Sequence, residues 1–191
     1  MPKHNKTYGY AMALWEVGSG APSLFRSVSD YRTTSDIVSS SLWTVMLEAS
    51  WMPSPLRYTI MPWLPSRDSR GDGWNLCHFW SNFEIADFSF FRSTQYRDLF
   101  DYLDSTGGFH LERWGDAAVH SLALALLLEP KKLHYFEDFG YRHSTFQHCP
   151  PANLRKPGCE CTCDENQGRT RDICLRRLRE AVEPLMPEYV G

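Results

Sequence analysis

Long apolar runs are missing from this sequence: none of its 191 residues falls in a stretch approaching the roughly 18 apolar residues of a membrane-spanning helix. Residues 1–10 lack the apolar core of a secretory leader, so nothing in the sequence by itself directs the chain out of the cytosol. Charge of one sign is missing too, since 20 basic residues against 23 acidic ones leave a net charge of −3. That balance provides no stripe for a polyanion and argues against nucleic acid as a partner. Zinc-type cysteine spacing is absent as well. Cys159, Cys161 and Cys163 alternate with single residues, whereas paired zinc ligands are usually separated by about two to four.

What is present suits one globular unit. With 42% hydrophobic and 14% aromatic residues the chain can bury one core, and its length fits one domain. Six cysteines, an even number, divide into Cys77 and Cys149 in the body and Cys159, Cys161, Cys163 and Cys174 towards the C-terminus. In an oxidising compartment this pattern favours disulfides between tail and body, with open connectivity. A zinc site from Cys159, Cys161, Cys163 and His148 or Cys149 is the rival.

The order of elements is α/β in character. Thr7 to Val17 is an aromatic and apolar run that reads as a buried strand. Pro22 then opens a helix with Leu24, Phe25, Val28 and Tyr31 on one face. Residues 33–52 show helical spacing at Leu42, Val45, Met46 and Ala49 beside a run of serines, Ser39 to Ser41. From Met52 to Asp72, Pro53, Pro55, Pro62 and Pro65 remove backbone donors and predict a long loop. Phe88 to Leu103 reads as two short helices or one bent one, stopped by Gly107-Gly108. Ala117 to Leu128 is the most apolar helix pattern, closed by Glu129-Pro130, and Leu133 to Phe136 is a strand. A last helix carries Ile173, Leu175, Leu178, Ala181, Val182 and Leu185.

Two runs contain more chemistry than a core needs. Asn75-Leu-Cys-His-Phe-Trp-Ser-Asn-Phe-Glu-Ile-Ala-Asp87 mixes aromatics with a histidine, amides and two carboxylates. Gly108-Phe-His-Leu-Glu-Arg-Trp-Gly-Asp-Ala-Ala-Val-His-Ser121 repeats that mixture and leads into the apolar helix. Together they suggest a binding cleft.

With Asn5-Lys-Thr-Tyr-Gly-Tyr10, Phe136-Glu-Asp-Phe-Gly-Tyr-Arg-His143 and His148-Cys-Pro-Pro151, these runs resemble the fungal Golgi α-1,2-mannosyltransferases of glycosyltransferase family 15. Five blocks in the same order cover residues 3–32 and 74–164, and the likeness lapses over 33–73, which reads as a divergent insertion or loop. Met1 stands only four residues before the first block. The resemblance therefore implies the C-terminal part of a catalytic domain over 1–164, followed by a tail over 165–191. The metal- and nucleotide-binding half, with its Glu-Pro-Asp motif, is expected upstream. The implied fold is GT-A-like, a mixed sheet flanked by helices and incomplete at its nucleotide-binding end. The implied activity transfers mannose from GDP-mannose to the 2-hydroxyl of a mannose on an N- or O-linked glycan, with retention, on the lumenal side of the Golgi membrane.

Residue roles follow from the matching blocks. Glu84 is expected to be the carboxylate beside the reacting sugar, since glycosyl transfer builds positive charge at the anomeric carbon; its plain alternative is a surface carboxylate near a helix start. Trp80 offers an indole face for the apolar side of a mannose ring, or is simply core. Asp116 is expected to hold the acceptor, supported by Arg113 and Glu112, or else to cap the helix after it. His120, a lone histidine on an apolar helix, reads as a core residue. His143 is expected to help bind Mn²⁺ on the donor diphosphate, one imidazole among oxygen ligands. The alternatives in other classes are a catalytically dead glycan-binding or vestigial module and a cysteine-rich structural protein.

Overall fold

The computed structural model describes residues 5–48, 52–151, 154 and 173–182. Strand β1 (Tyr8–Tyr10) is wholly buried and lies at the centre of a three-stranded sheet. It pairs antiparallel with β4 (Glu84–Ala86), Tyr10 opposite Glu84, and parallel with β5 (Leu133–Tyr135). The single strand expected over Thr7 to Val17 is in fact two. The chain leaves the first sheet at Ala11 and Met12 and resumes as β2 (Ala13–Trp15), antiparallel to β3 (Cys77–Phe79) in a second sheet. Because Ala11 and Met12 are as buried as the strands they join, hydrophobicity cannot reveal the break. A third, two-stranded sheet is the hairpin of β6 (Tyr141–His143) and β7 (Phe146–His148).

Helix α7 (Asp116–Leu127) runs through the core: apart from Asp116, His120 and Leu127, every residue in it is buried. The Ser121 hydroxyl accepts the Phe79 N–H at 2.8 Å, which satisfies a buried hydroxyl and ties α7 to β3. Helix α1 (Leu24–Thr34) turns Leu24, Phe25 and Val28 inward, and Pro22 sits just ahead of its N-cap, Ser23.

The segment expected as an insertion or loop contributes to the core. Ser40 caps α2 (Ser41–Val45), its hydroxyl accepting the Leu42 N–H; Leu42, Trp43 and Met46 are buried, and Trp43 stacks on Phe25 at 5.4 Å. The prolines after Met52 do not exclude a helix. Pro53 is the N-cap and Pro55 lies in the first turn of α3 (Ser54–Ile60), where backbone N–H groups have no intrahelical partner to lose. A 3₁₀ turn, Met61–Trp63, follows.

Helices α4 (Phe88–Phe91) and α5 (Thr94–Ser105) are separate, as one of the two sequence expectations had it. The Asp87 carboxylate caps α4 and the Ser93 hydroxyl caps α5. Gly107, at φ +76°, takes the left-handed conformation that follows α5 and leads into the short α6 (Gly108–Leu111). The last helix, α8 (Ile173–Val182), buries Cys174, Leu178 and Val182, whereas Ile173 faces outward; Leu185 lies outside the described residues. Cys174 is disulfide-bonded to Cys77, a link between tail and body. Cys149 is also disulfide-bonded, and the Cys159, Cys161 and Cys163 expectation lies outside the described residues. Among those described, no helix is long and apolar enough to cross a membrane.

Candidate active site

Glu84 opens β4, immediately after the turn that follows β3. Tyr8 sits opposite Ala86, so its side chain and that of Glu84 are diagonal neighbours on one face of the sheet. The buried Tyr8 hydroxyl donates to Glu84 Oε2 at 2.6 Å. From the other side His120 Nδ1 approaches to 3.3 Å from both carboxylate oxygens. Burial pushes the Tyr8 hydroxyl far above the usual phenol range, reinforced by the negative charges of Glu84 and Asp116. Tyr8 is therefore a hydrogen-bond donor at every working pH.

Glu84 and His120 face a cavity of about 420 Å³, walled by Phe88, Phe91, Tyr96 and Phe100, with Arg97 as the third polar side chain. Phe91 packs on the His120 imidazole at 4.7 Å. Burial, with the charge of Glu84, pushes the Tyr96 hydroxyl up to about 12. Aromatic walls with a few convergent polar groups, at this size, are the usual make-up of a small-molecule site.

Asp116 is the first residue of α7 and exposed, and Gly115 is the N-cap, so the capping alternative for Asp116 does not hold. Its carboxylate still favours the helix start electrostatically. Its negative charge, like that of Glu84, pushes the Tyr8 hydroxyl up, after the larger effect of burial.

Trp80 follows β3, its N–H bonded to the Met12 carbonyl. Its ring meets His143 edge-on at 5.3 Å and Phe146 at 5.2 Å. Phe83 continues this cluster against Phe139 and Tyr141 at 4.8 and 5.3 Å. Trp80 and His143, expected in different roles, thus form one aromatic patch on the β6–β7 hairpin.

Glu112, expected to support acceptor binding beside Asp116, is engaged within the protein. Its oxygens accept the Ser23 hydroxyl at 2.7 Å, the Ser23 N–H at 3.1 Å and the Trp114 indole N–H at 2.7 Å. Burial opposes ionisation here, but these bonds hold the carboxyl below its usual range. Glu112 therefore braces the start of α1. The Arg113 N–H bonds to the Gly20 carbonyl at 2.6 Å, leaving an exposed side chain.

His143 is exposed on β6. Among the described residues no three His, Cys, Asp or Glu side chains gather to hold a metal. One imidazole does not make a Mn²⁺ site, so these residues do not fit that ion by themselves.

Sequence reasoning missed Tyr8 and read His120 as a satisfied core residue: it is satisfied, by Glu84, but only half-buried and on the cavity wall. The available signal for His120 was its place four residues after Asp116, one turn along the same helix face. For Tyr8 the one signal was its place in the Asn5-Lys-Thr-Tyr-Gly-Tyr10 block, since by residue type an aromatic in a buried strand is ordinary core.

The sequence matches the family described as glycolipid 2-alpha-mannosyltransferase over residues 1–182. It is 42% identical over 175 residues to O-glycoside alpha-1,2-mannosyltransferase homolog 5 of Schizosaccharomyces pombe, covering 87% of this chain and 41% of that protein. With glycolipid 2-alpha-mannosyltransferase 2 of Candida albicans it shares 39% identity over 168 residues, covering 87% of this chain and 32% of that one. Among solved structures, core-mannan synthase A from Aspergillus fumigatus, in its Mn/GDP form, superposes with a TM-score of 0.75 at 32% identity. That likeness covers 95% of this chain and 46% of the other. The mannosyltransferase Ktr4p from S. cerevisiae in complex with GDP gives 0.67 at 33% identity, covering 85% of this chain and 39% of the other. The chain thus spans about two-fifths of the length of the first of these curated relatives.

Proposed function

Because the chain belongs to the family of the glycolipid 2-alpha-mannosyltransferases, we propose that it is the C-terminal part of a GT-A-type mannosyltransferase domain. In this reading, mannose passes from GDP-mannose to the 2-hydroxyl of a mannose on an N- or O-linked glycan, with retention, on the lumenal side of the Golgi membrane. Residues 1–164 belong to the catalytic domain and 165–191 form its tail.

The observation that carries the reading is Glu84, a carboxylate held by two side chains at the wall of an aromatic cavity. Fixed there, it opposes the positive charge that develops at the anomeric carbon. The aromatic walls suit the apolar face of a sugar ring, and Asp116 offers an exposed acceptor for a sugar hydroxyl. The nucleotide complexes of the solved relatives support GDP-mannose as donor. Mn²⁺ is the family's metal in this reading; His143 supplies one ligand, and the remainder come from outside the described residues. Arg113, through its exposed side chain, and Glu112, beside its bracing of α1, remain the candidates that support Asp116 in acceptor binding.

The exposed Asp116 carboxylate and the aromatic cavity also suit a second reading, a glycan-binding module without transfer of its own. Fusion of the 191-residue chain behind the upstream portion of the S. pombe relative separates the two. In the transferase reading the chimera moves mannose from GDP-mannose, and Glu84→Gln lowers turnover about a hundredfold or more while leaving donor binding intact. Turnover unchanged by Glu84→Gln returns that residue to a structural role. A chimera that binds mannosides but transfers nothing favours the module.

A further inference from the structure

Resting on the transferase reading, we propose that Tyr8 and His120 are positioning residues that fix the direction of the Glu84 carboxylate from two sides. A glutamate side chain has three rotatable bonds, and one at a cavity wall has no inherent aim. Here the orientation is determined by partners on two other elements. Tyr8 is fully buried on the central strand and bonds Oε2. His120 comes from α7, which is buried along most of its length, and spans both oxygens at 3.3 Å.

The protonation states follow from the contacts. An ionised carboxylate only accepts, so the phenol must donate to it and the imidazole must carry a proton on Nδ1. Burial keeps Tyr8 protonated throughout. The imidazole plane is itself held, with Phe91 packed on one side at 4.7 Å and Tyr96 at 6.4 Å. A core histidine needs only a satisfied nitrogen; this one spends its Nδ1 on Glu84 and also lines the cavity. Both donors hold the Glu84 carboxylate aimed, which raises turnover by positioning.

The test uses the active chimera with Tyr8→Phe, His120→Leu and His120→Asn. The Asn amide nitrogen lies near the place of Nδ1, whereas Leu keeps bulk and removes the donor. Misaiming a reacting group costs about tenfold to a hundredfold, and that loss is expected in kcat for Tyr8→Phe and His120→Leu. KM for GDP-mannose and for the acceptor should stay within about twofold, and His120→Asn should recover most of the His120→Leu loss. Thermal melts of the 191-residue chain carrying each substitution provide the folding control. If kcat is unchanged in Tyr8→Phe and His120→Leu, or if Asn and Leu lower kcat equally in step with melting temperature, the pair is merely structural and the inference fails. If the chimera with all residues intact transfers no mannose, the transferase reading fails and this inference falls with it.

Discussion

Cys77 in β3 and Cys174 in α8 are joined by a disulfide that closes a separation of 97 residues. It anchors the last helix beside the strand that leads to Trp80 and Glu84. In the chain-entropy account a bridge over so long a loop restricts the unfolded chain strongly.

Replacing both partners, Cys77→Ala with Cys174→Ala, should cost about 2–5 kcal/mol of stability. Urea unfolding of the doubly substituted chain against the parent, without reductant, measures it. Coincident midpoints would mean that the other contacts of α8, buried Leu178 and Val182 and the Arg179–Glu137 ion pair among them, hold it without the bridge.

Asp68 is buried and accepts three bonds: the Ser29 hydroxyl at 2.7 Å, the Arg70 N–H at 2.9 Å and the Asp72 N–H at 2.8 Å. It ties the turn before Gly73 to α1. Asp68→Ala leaves the buried Ser29 hydroxyl without this acceptor and should destabilise the protein by about 2–3 kcal/mol. Asp68→Asn, which keeps one carbonyl oxygen, should cost less. Equal denaturation midpoints for parent and Asp68→Ala would contradict this.

Gly108 lies against the Trp114 indole, where an added Cβ would come within 2.1 Å of a ring carbon. Gly108→Ala must displace a buried tryptophan and should cost about 1–3 kcal/mol. At Gly115 a Cβ would meet nothing within 4 Å, and Gly115→Ala should cost under about 1 kcal/mol. Similar melting temperatures for these two variants would rule out the steric explanation.

Two buried histidines set a pH response. Burial holds the His78 and His148 imidazoles below their usual value, outweighing the charge of Glu16 near the first and Glu137 near the second. As pH falls below about 6.5 the unfolded chain binds protons that the folded one resists. The unfolded state then holds more protons, so stability falls with pH by up to about 1.4 kcal/mol per unit for each histidine. Asp30 and Asp72, whose carboxyls burial raises, act in the opposite sense, in the carboxylate range at lower pH. Urea midpoints at pH 7.5 and 5.5 should differ in the parent and differ less in His148→Phe. A flat profile would overturn the assignment.

Local pattern was enough for the helices that bury a continuous face. The apolar run before Glu129-Pro130 could be little else than α7, and the spacing of Tyr96, Leu99 and Leu103 matches the buried side of α5. Glu84 and Asp116 were singled out because they sit in sequence blocks unlike ordinary core. The bond that Tyr8 makes was not legible there, nor was the partner of Cys77, nor the break that sends β1 and β2 to different sheets. Residue type and periodicity report which face of an element avoids water, and that much the sequence determined by itself. Which distant groups then meet depends on strand register and on how the intervening chain closes. A shift of one residue between β1 and β4 would turn Glu84 to the opposite face, away from Tyr8 and His120. The convergence of positions 8, 84 and 120 was therefore decided only by the tertiary structure.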